Sequence, residues 1–307
     1  MTSHAFAASG LAADQGGVVS LEQLRSYGVT RSQIRAQVEA LRWRRVHSQV
    51  VAMHTGPLSE QGTWWAAVLE GGPRAHLDGA SALLAEGLTG FTTSVVRVSV
   101  PPESRARRAE GVDIRRTRRH DAEAVVRRGV PRVRADVAAV NAALWAVSDR
   151  QAVLLATMAV QQRLTTPERV GAALLRVRRD RRRALLHACV LDLLGGVRSL
   201  GEADFARECR RRGLPEPTRQ SVRRGPHGAW YLDVHWEDWG VVVEIDGIQH
   251  GWASEVVGDA LRQNAITLAS DVVLRLPLLG LRVAPEEFFA QIRQALVERG
   301  CPLRHVA

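Results

Sequence analysis

The sequence has no lysine: all 42 basic residues among its 307 are arginine. Any mechanism that needs a lysine side chain is thereby excluded, and every cationic contact falls to guanidinium groups, whose planar fork matches phosphate oxygens. GC-rich codon usage accounts for the bias without any function. Cysteine is scarce too. Cys189, Cys209 and Cys301 are odd in number and lack the paired spacing of a zinc site, so reduced structural thiols are expected. No run approaches the roughly 18 uninterrupted apolar residues that cross a bilayer. The opening MTSHAFAASGLAADQGG lacks the basic and apolar blocks of a secretory signal. A cytoplasmic protein with no membrane partner is expected.

What is present points to a folded chain of two or three compact units, since the length is about twice the ~150-residue norm for one domain. Hydrophobic residues make up 46% and charged residues 24% of the sequence, as in an ordinary globular protein. The net charge of +10 is uneven: residues 1–57 carry +3, 58–194 carry +8 and 195–307 carry −1. These three segments are read as three domains. Two basic segments before a near-neutral one suggest a body that binds a polyanion, with DNA the first candidate.

In the first segment Ser20 is placed as an N-cap before a helix face of Leu21, Leu24 and Tyr27. Gly28 stands where a left-handed turn residue belongs. A second helix is expected behind Thr30, with Ile34, Val38 and Leu41 inward and Arg31, Ser32, Gln33, Arg35 and Gln37 on its free side. That is helix, tight turn, helix, and polar side chains at the start of the second helix are what base edges in a major groove require. Arg44 and Arg45, followed by an alternating Val46–Met53 strand, read as a wing that presents guanidinium groups to phosphates. The bland alternative is a helical hairpin with a solvated face.

The stretch GGVVSLEQLRSYGVTRSQIRAQVEALRWRRVHSQVV resembles the N-terminal winged helix of AbiEi-type antitoxins over about residues 10–55. The resemblance implies transcriptional autoregulation or toxin neutralisation, with a toxin or a second copy as partner. Winged helices of this kind also occur joined to other domains, so the antitoxin role does not follow from it.

Residues 58–194 read as mixed α+β: helices at Glu60–Glu70 and Ser81–Gly87, and a strand at Val95–Val100 ended by Pro101 and Pro102. Arg107–Arg119 is a very basic stretch with Val112 and Ile114 inward, and Arg176–Arg183 reads as the charged face of a helix. Either cluster suits a phosphate backbone, and either suits plain solvation. No Gly-rich phosphate loop, nucleophile elbow or metal motif occurs here.

The last segment is the most informative. A helix at Ser199–Arg212 precedes a strand at 229–236, a turn at 237–240, the strand VVVEIDG at 241–247, a helix from about Ser254 to Leu268, a strand at Val272–Leu276 and a closing helix after Pro285. With a short strand near Val222 the order is αβββαβ. Three valines argue for a buried strand, yet Glu244 and Asp246, two apart, project from one face, and Asp233 lies across a short hairpin. Like charges buried together need a cation or a wet face. Mg²⁺ suits such a set because it takes one or two carboxylates and keeps its waters; an edge strand with that face wet is the alternative.

Asp233, Glu244, Asp246, Gly247, His250, Asp259 and Arg262 stand in a pattern similar to the PD-(D/E)xK nucleases, and within them the group related to very-short-patch-repair endonucleases, over about residues 199–299. The resemblance implies Mg²⁺ or Mn²⁺ ligation by Asp233 and Glu244, with Asp246 a third ligand or the residue that orients the attacking water. His250 would be a general base or a phosphate contact, and Glu202 would bind the hydrated metal from the first helix. Asp259 and Arg262 would act there or form a structural ion pair. Asp246 stands where the wider superfamily has lysine, so charge stabilisation would fall to Arg262, His250 or the metal. The expected fold is thus a multidomain α+β and α/β protein: winged helix-turn-helix, mixed middle region and C-terminal restriction-endonuclease-like domain. The expected function is that of a DNA-binding, metal-dependent endonuclease; the alternative is a non-catalytic regulator or antitoxin-like protein.

Overall fold

A computed structural model describes residues 3–104, 107–118, 121–195, 202–224, 230–246, 260–261, 264, 273–277, 280–281 and 284–303; for 3–5, 195, 202–204, 219–224, 230–232 and 246 it describes the backbone alone. The protein is mixed α/β, with three small sheets among the described residues. It divides into two compact units, 1–141 and 142–307.

The first unit opens with helix α1 (Ser3–Asp14), strand β1 (Val18–Ser20), helices α2 (Leu21–Ser26) and α3 (Arg31–Glu39), and strands β2 (Arg44–Arg45) and β3 (Val50–Ala52). The order β1-β3-β2 is antiparallel throughout. Helix α1 was not expected. Its Ala8 and Ala12, four residues apart, are buried in a core with Val19, Leu24, Ile34, Trp43 and Val51. The opposite face of the sheet, Val18, Val50 and Ala52, packs on Ala66 of helix α4 (Glu60–Gly71). A three-residue strand buried on both faces explains the unbroken apolar runs at 18–19 and 50–52.

Gly28 has φ 78, the left-handed turn between α2 and α3. Leu41 corrects the expected apolar face: α3 ends at Glu39, and Leu41 lies beyond it with φ 50 and 79% exposure. The expected Val46–Met53 strand is shorter at its start, because residues 46–49 form the turn of the β2–β3 hairpin.

The remainder of this unit is a five-stranded mixed sheet, β6-β5-β4-β8-β7, of strands β4 (His76–Leu77), β5 (Val96–Val100), β6 (Val112–Arg116), β7 (Val125–Val126) and β8 (Arg132–Val133), with helix α5 (Gly79–Ala85) beside β5. Buried Asp78 caps α5 through Gly79 N–H at 2.7 Å and accepts bonds from Ser99 Oγ at 2.6 Å and Asn141 Nδ2 at 2.9 Å. Helix α6 (Ala135–Leu144) carries the boundary between the units.

The second unit begins with helices α7 (Asp149–Gln161), α8 (Pro167–Leu175) and α9 (Arg183–Gly195). Of the Arg176–Arg183 run, residues 176–182 therefore connect two helices and only Arg183 opens the second, so the run is not one charged helix face. Its Arg182 is 3% exposed and donates to Asp149 Oδ1 at 2.8 Å, Ala146 O at 2.7 Å and Leu144 O at 3.1 Å. The last carbonyls of α6 need such a donor.

Helix α10 (Glu202–Arg211) precedes a four-stranded sheet of β9 (Arg219–Arg224), β10 (Trp230–Trp236), β11 (Val241–Asp246) and β12 (Val273–Pro277) in the order β12-β11-β10-β9. Helix α11 (Pro285–Glu298) follows. The pairs β9/β10 and β10/β11 are antiparallel and β11/β12 is parallel. Gly240, at φ 59, closes the turn between β10 and β11. One face of the sheet is apolar: Val234, Trp236, Val241, Val243, Ile245, Leu274 and Leu276 are all fully buried. Phe205 of α10 stacks on Phe289 of α11 at 5.6 Å and lies 6.4 Å from Trp236. None of the three cysteines forms a disulfide, and burial pushes the Cys209 thiol up to about 12. No helix among the described residues is long and apolar enough to cross a membrane.

Candidate functional site

Helices α2 and α3 both start in capping boxes. Ser20 Oγ accepts from Gln23 N–H while Gln23 Oε1 accepts from Ser20 N–H; Thr30 and Gln33 repeat the arrangement. Ser32 Oγ lies 3.0 Å from Thr30 Oγ1. Gln33 and Ser32, expected to reach bases, are thus turned toward the start of their own helix.

Arg31 and Arg35 are exposed and bind no other group among the described residues. Together with Arg25 and Arg45 they line a cleft of ≈580 Å³ between α2, α3 and the β2–β3 hairpin, opposed by one carboxylate, Glu39. The fourth arginine, Arg25, escaped the sequence reading. It lies in the last turn of α2, six residues before Arg31, and the tight turn at Gly28 folds it back toward α3, a signal available once the turn is drawn in three dimensions. Arg44 is exposed but outside this cleft, donating to Gly56 O at 3.1 Å, and Arg45 donates to Ser48 O at 2.9 Å.

The hairpin turn is fixed from behind by Glu70 of α4, which is fully buried. Its carboxylate accepts from Ser48 Oγ at 2.5 Å and from Gln49 N–H at 2.7 Å. Burial also pushes the nearby His47 below its ordinary value, against the attraction of Glu70 and Glu110. The cleft is therefore a fixed concavity with guanidinium groups on three elements. Unpaired cations gathered in one concave surface attract a polyanion.

In the second unit the register sets Asp233 directly opposite Glu244, with Ser221 beyond Asp233 on β9 and Arg275 beyond Glu244 on β12. A row Arg275–Glu244–Asp233–Ser221 crosses the sheet on the face away from its apolar core. Asp233 is 2% exposed, and the Glu244 side chain is 32% exposed with Oε2 3.5 Å from Arg275 Nε. Directly opposed residues have Cβ atoms roughly 5 Å apart, close enough for two carboxylates to share one cation. Asp246 stands two positions on in β11, in register with Tyr231 and Pro277. Its side chain, the Glu202 side chain at the start of α10, and Gly247, His250, Asp259 and Arg262 lie outside the described residues. Among the described residues no group of three or more His, Cys, Asp or Glu is placed to hold a metal; the described part of the expected set is the Asp233–Glu244 pair. Arg275 was absent from the sequence reading. A parallel register between strands almost thirty residues apart is what sequence patterns do not give.

Neither a protein-family model nor a curated protein matches the chain. Among solved structures, the chain is similar to the RV2827C protein from Mycobacterium tuberculosis, with a TM-score of 0.41 and 18% identity over 66% of this chain and 80% of that one.

Proposed function

We propose that the chain binds duplex DNA through a winged helix-turn-helix in residues 1–57, and that residues 195–307 form a nuclease-like domain that hydrolyses phosphodiester bonds with Mg²⁺ or Mn²⁺. Within the first unit α4 then backs the winged helix, and the arginines of residues 58–194 add basic charge. The observation that carries DNA binding is the convergence of Arg25, Arg31, Arg35 and Arg45 on one cleft, with Glu39 the only carboxylate lining it among the described residues. The order of elements, helix α1, strand, two helices and a two-stranded hairpin, is that of a winged helix with α3 as the element entering the groove.

For hydrolysis the support is the opposed pair Asp233 and Glu244, hard oxygen donors on adjacent strands of an αβββ…β arrangement. That donor set fits a divalent cation of the Mg²⁺ class, which accepts two carboxylates. The bound ion would supply Lewis-acid polarisation of the phosphoryl oxygens. Asp233 and Glu244 would hold it, with Asp246 and Glu202 as further donors, and His250 and Arg262 would contact the phosphate or the attacking water. A second reading has its own observation: the Arg275 guanidinium beside Glu244 offers that carboxylate an ordinary partner. On that reading the sheet is a non-catalytic module of a regulator or antitoxin-like protein.

Plasmid nicking separates them. The hydrolase reading expects nicking by the purified protein in Mg²⁺ or Mn²⁺, abolished by chelator and reduced at least about 100-fold in Glu244→Ala. Equal background in wild type and variant supports the regulator.

A further inference from the structure

Two carboxylates at the centre of a sheet repel a phosphodiester as well as each other, so a site that takes DNA there needs a fixed cation of its own. In the row through Asp233 and Glu244 the other positions are Ser221 and Arg275. Arg219 and Arg223, in register with His235 and Tyr231, belong to other rows. The row therefore contains a single basic residue, at the edge of the sheet.

We propose that Arg275 is the phosphate-contacting cation of the hydrolytic site: its guanidinium, held beside the Glu244 carboxylate, hydrogen-bonds a non-bridging oxygen of the phosphodiester. The assignment rests on the hydrolase reading and adds a residue to it. The contact with Glu244 is a single one of 3.5 Å from Nε, with the Arg275 side chain 66% exposed, and no other group among the described residues binds that side chain. An arginine that served only to neutralise a carboxylate would favour the shorter, two-pronged geometry of about 2.8 Å. Among the described residues the Nη groups, with four of the five N–H donors, meet no partner, and the side chain is exposed enough to reach a ligand.

The position of Arg275 is fixed by an unusual device. Among the described residues strand β12 is at the edge of the sheet, where outward N–H and C=O groups would normally stay open. At Arg275 both are closed by one side chain: Asn264 Oδ1 accepts from Arg275 N–H at 2.8 Å, and Asn264 Nδ2 donates to Arg275 O at 2.9 Å. Asn264 is fully buried and is itself held by Gln291, whose Oε1 accepts from Nδ2 at 3.0 Å and whose Nε2 donates to Leu261 O at 3.1 Å. The amide stands in for a missing neighbouring strand at the one residue whose side chain lies beside Glu244. Positioning of this kind, made before substrate arrives, is what transition-state stabilisation requires.

In the reaction, water forms a bond to phosphorus and gives up a proton. The bond from phosphorus to the leaving oxygen breaks with its electron pair on that oxygen, which takes up a proton. Arg275 stays protonated throughout and contributes hydrogen bonds to the oxygen on which negative charge builds.

The test uses the full chain in single-turnover cleavage of plasmid DNA, beside thermal melts with and without Mn²⁺, for wild type, Arg275→Gln and Arg275→Lys. Because Asn264 binds only the main chain of residue 275, both variants keep the clamp. Arg275→Gln is expected to cleave at least about 100-fold more slowly, to keep or enlarge the rise in melting temperature given by Mn²⁺, and Arg275→Lys is expected to regain part of the rate. Cleavage by Arg275→Gln within about threefold of a working wild type overturns the assignment and leaves the hydrolase reading standing. Loss of both cleavage and the Mn²⁺ response in Arg275→Gln also overturns it, since Arg275 then acts through Glu244. A wild type inert with both metals removes the hydrolase reading and the assignment together.

Discussion

Asp136 shows how a charged residue is held at a helix start in this chain. It is 7% exposed in the first turn of α6, and Arg134 grips it with two bonds, Nε to Oδ1 at 3.1 Å and Nη2 to Oδ2 at 2.9 Å. Burial alone raises its carboxyl, but the bonds and charge of Arg134, with the N–H groups of Asp136 and Val137, outweigh burial and leave it below the ordinary carboxylate value. A lowered folded-state value means stability that is present above the unfolded-state value, near 3.8, and lost as pH falls through the folded-state value. Asp136→Asn should therefore lower the melting temperature at neutral pH and narrow its gap to wild type below about pH 4. Parallel melting curves at pH 7 and pH 3 would contradict this account. Arg182 carries a related lesson: in the sequence it is one more arginine in a run of eight residues, six of them basic, and in the fold it is the donor that closes the end of α6. Which arginine turns inward depends on carbonyls more than thirty residues earlier.

Among the elements, the β2–β3 hairpin has the clearest dependence on a distant residue. Glu70 binds the hairpin turn through Ser48 and through Gln49, which itself lines the arginine cleft. Glu70→Gln keeps the shape but loses a charge-assisted acceptor, worth about 1.5–3 kcal/mol. It should lower stability by that order and weaken duplex binding while leaving the salt dependence unchanged, since no guanidinium is removed. A Glu70→Gln protein with wild-type DNA affinity would show that the hairpin position is irrelevant to binding. Local chemistry made much of this unit legible: the caps at Ser20 and Thr30 and the turn at Gly28 need no partner outside their own few residues. In the second unit the alternation in VVVEID and the Gly240 turn placed β10 and β11, and with them the opposition of Asp233 and Glu244. Less legible was whatever long-range packing decides. Alanine-rich α1 has little apolar contrast, Leu41 continues a helical period past the helix end, and Arg25 and Arg275 gain meaning only when neighbouring elements are in place.

For the whole molecule, charge and fold point the same way. The net charge of +10 rests on arginines alone, and all of the excess lies in the first 194 residues. The compact unit of residues 1–141 holds the fixed concave cluster in which those charges can act together. Scattered surface arginines would bind DNA weakly, through the same counterion release but without a common site. The most direct measurement is thus the affinity of the full chain for a short duplex across a series of salt concentrations, for wild type and for Arg31→Ala/Arg35→Ala. If the cleft is the DNA interface, the double variant binds more weakly and the slope of log K against log salt falls by about two, one for each lost phosphate contact. An unchanged affinity and slope would contradict the account and move DNA away from the helix-turn-helix.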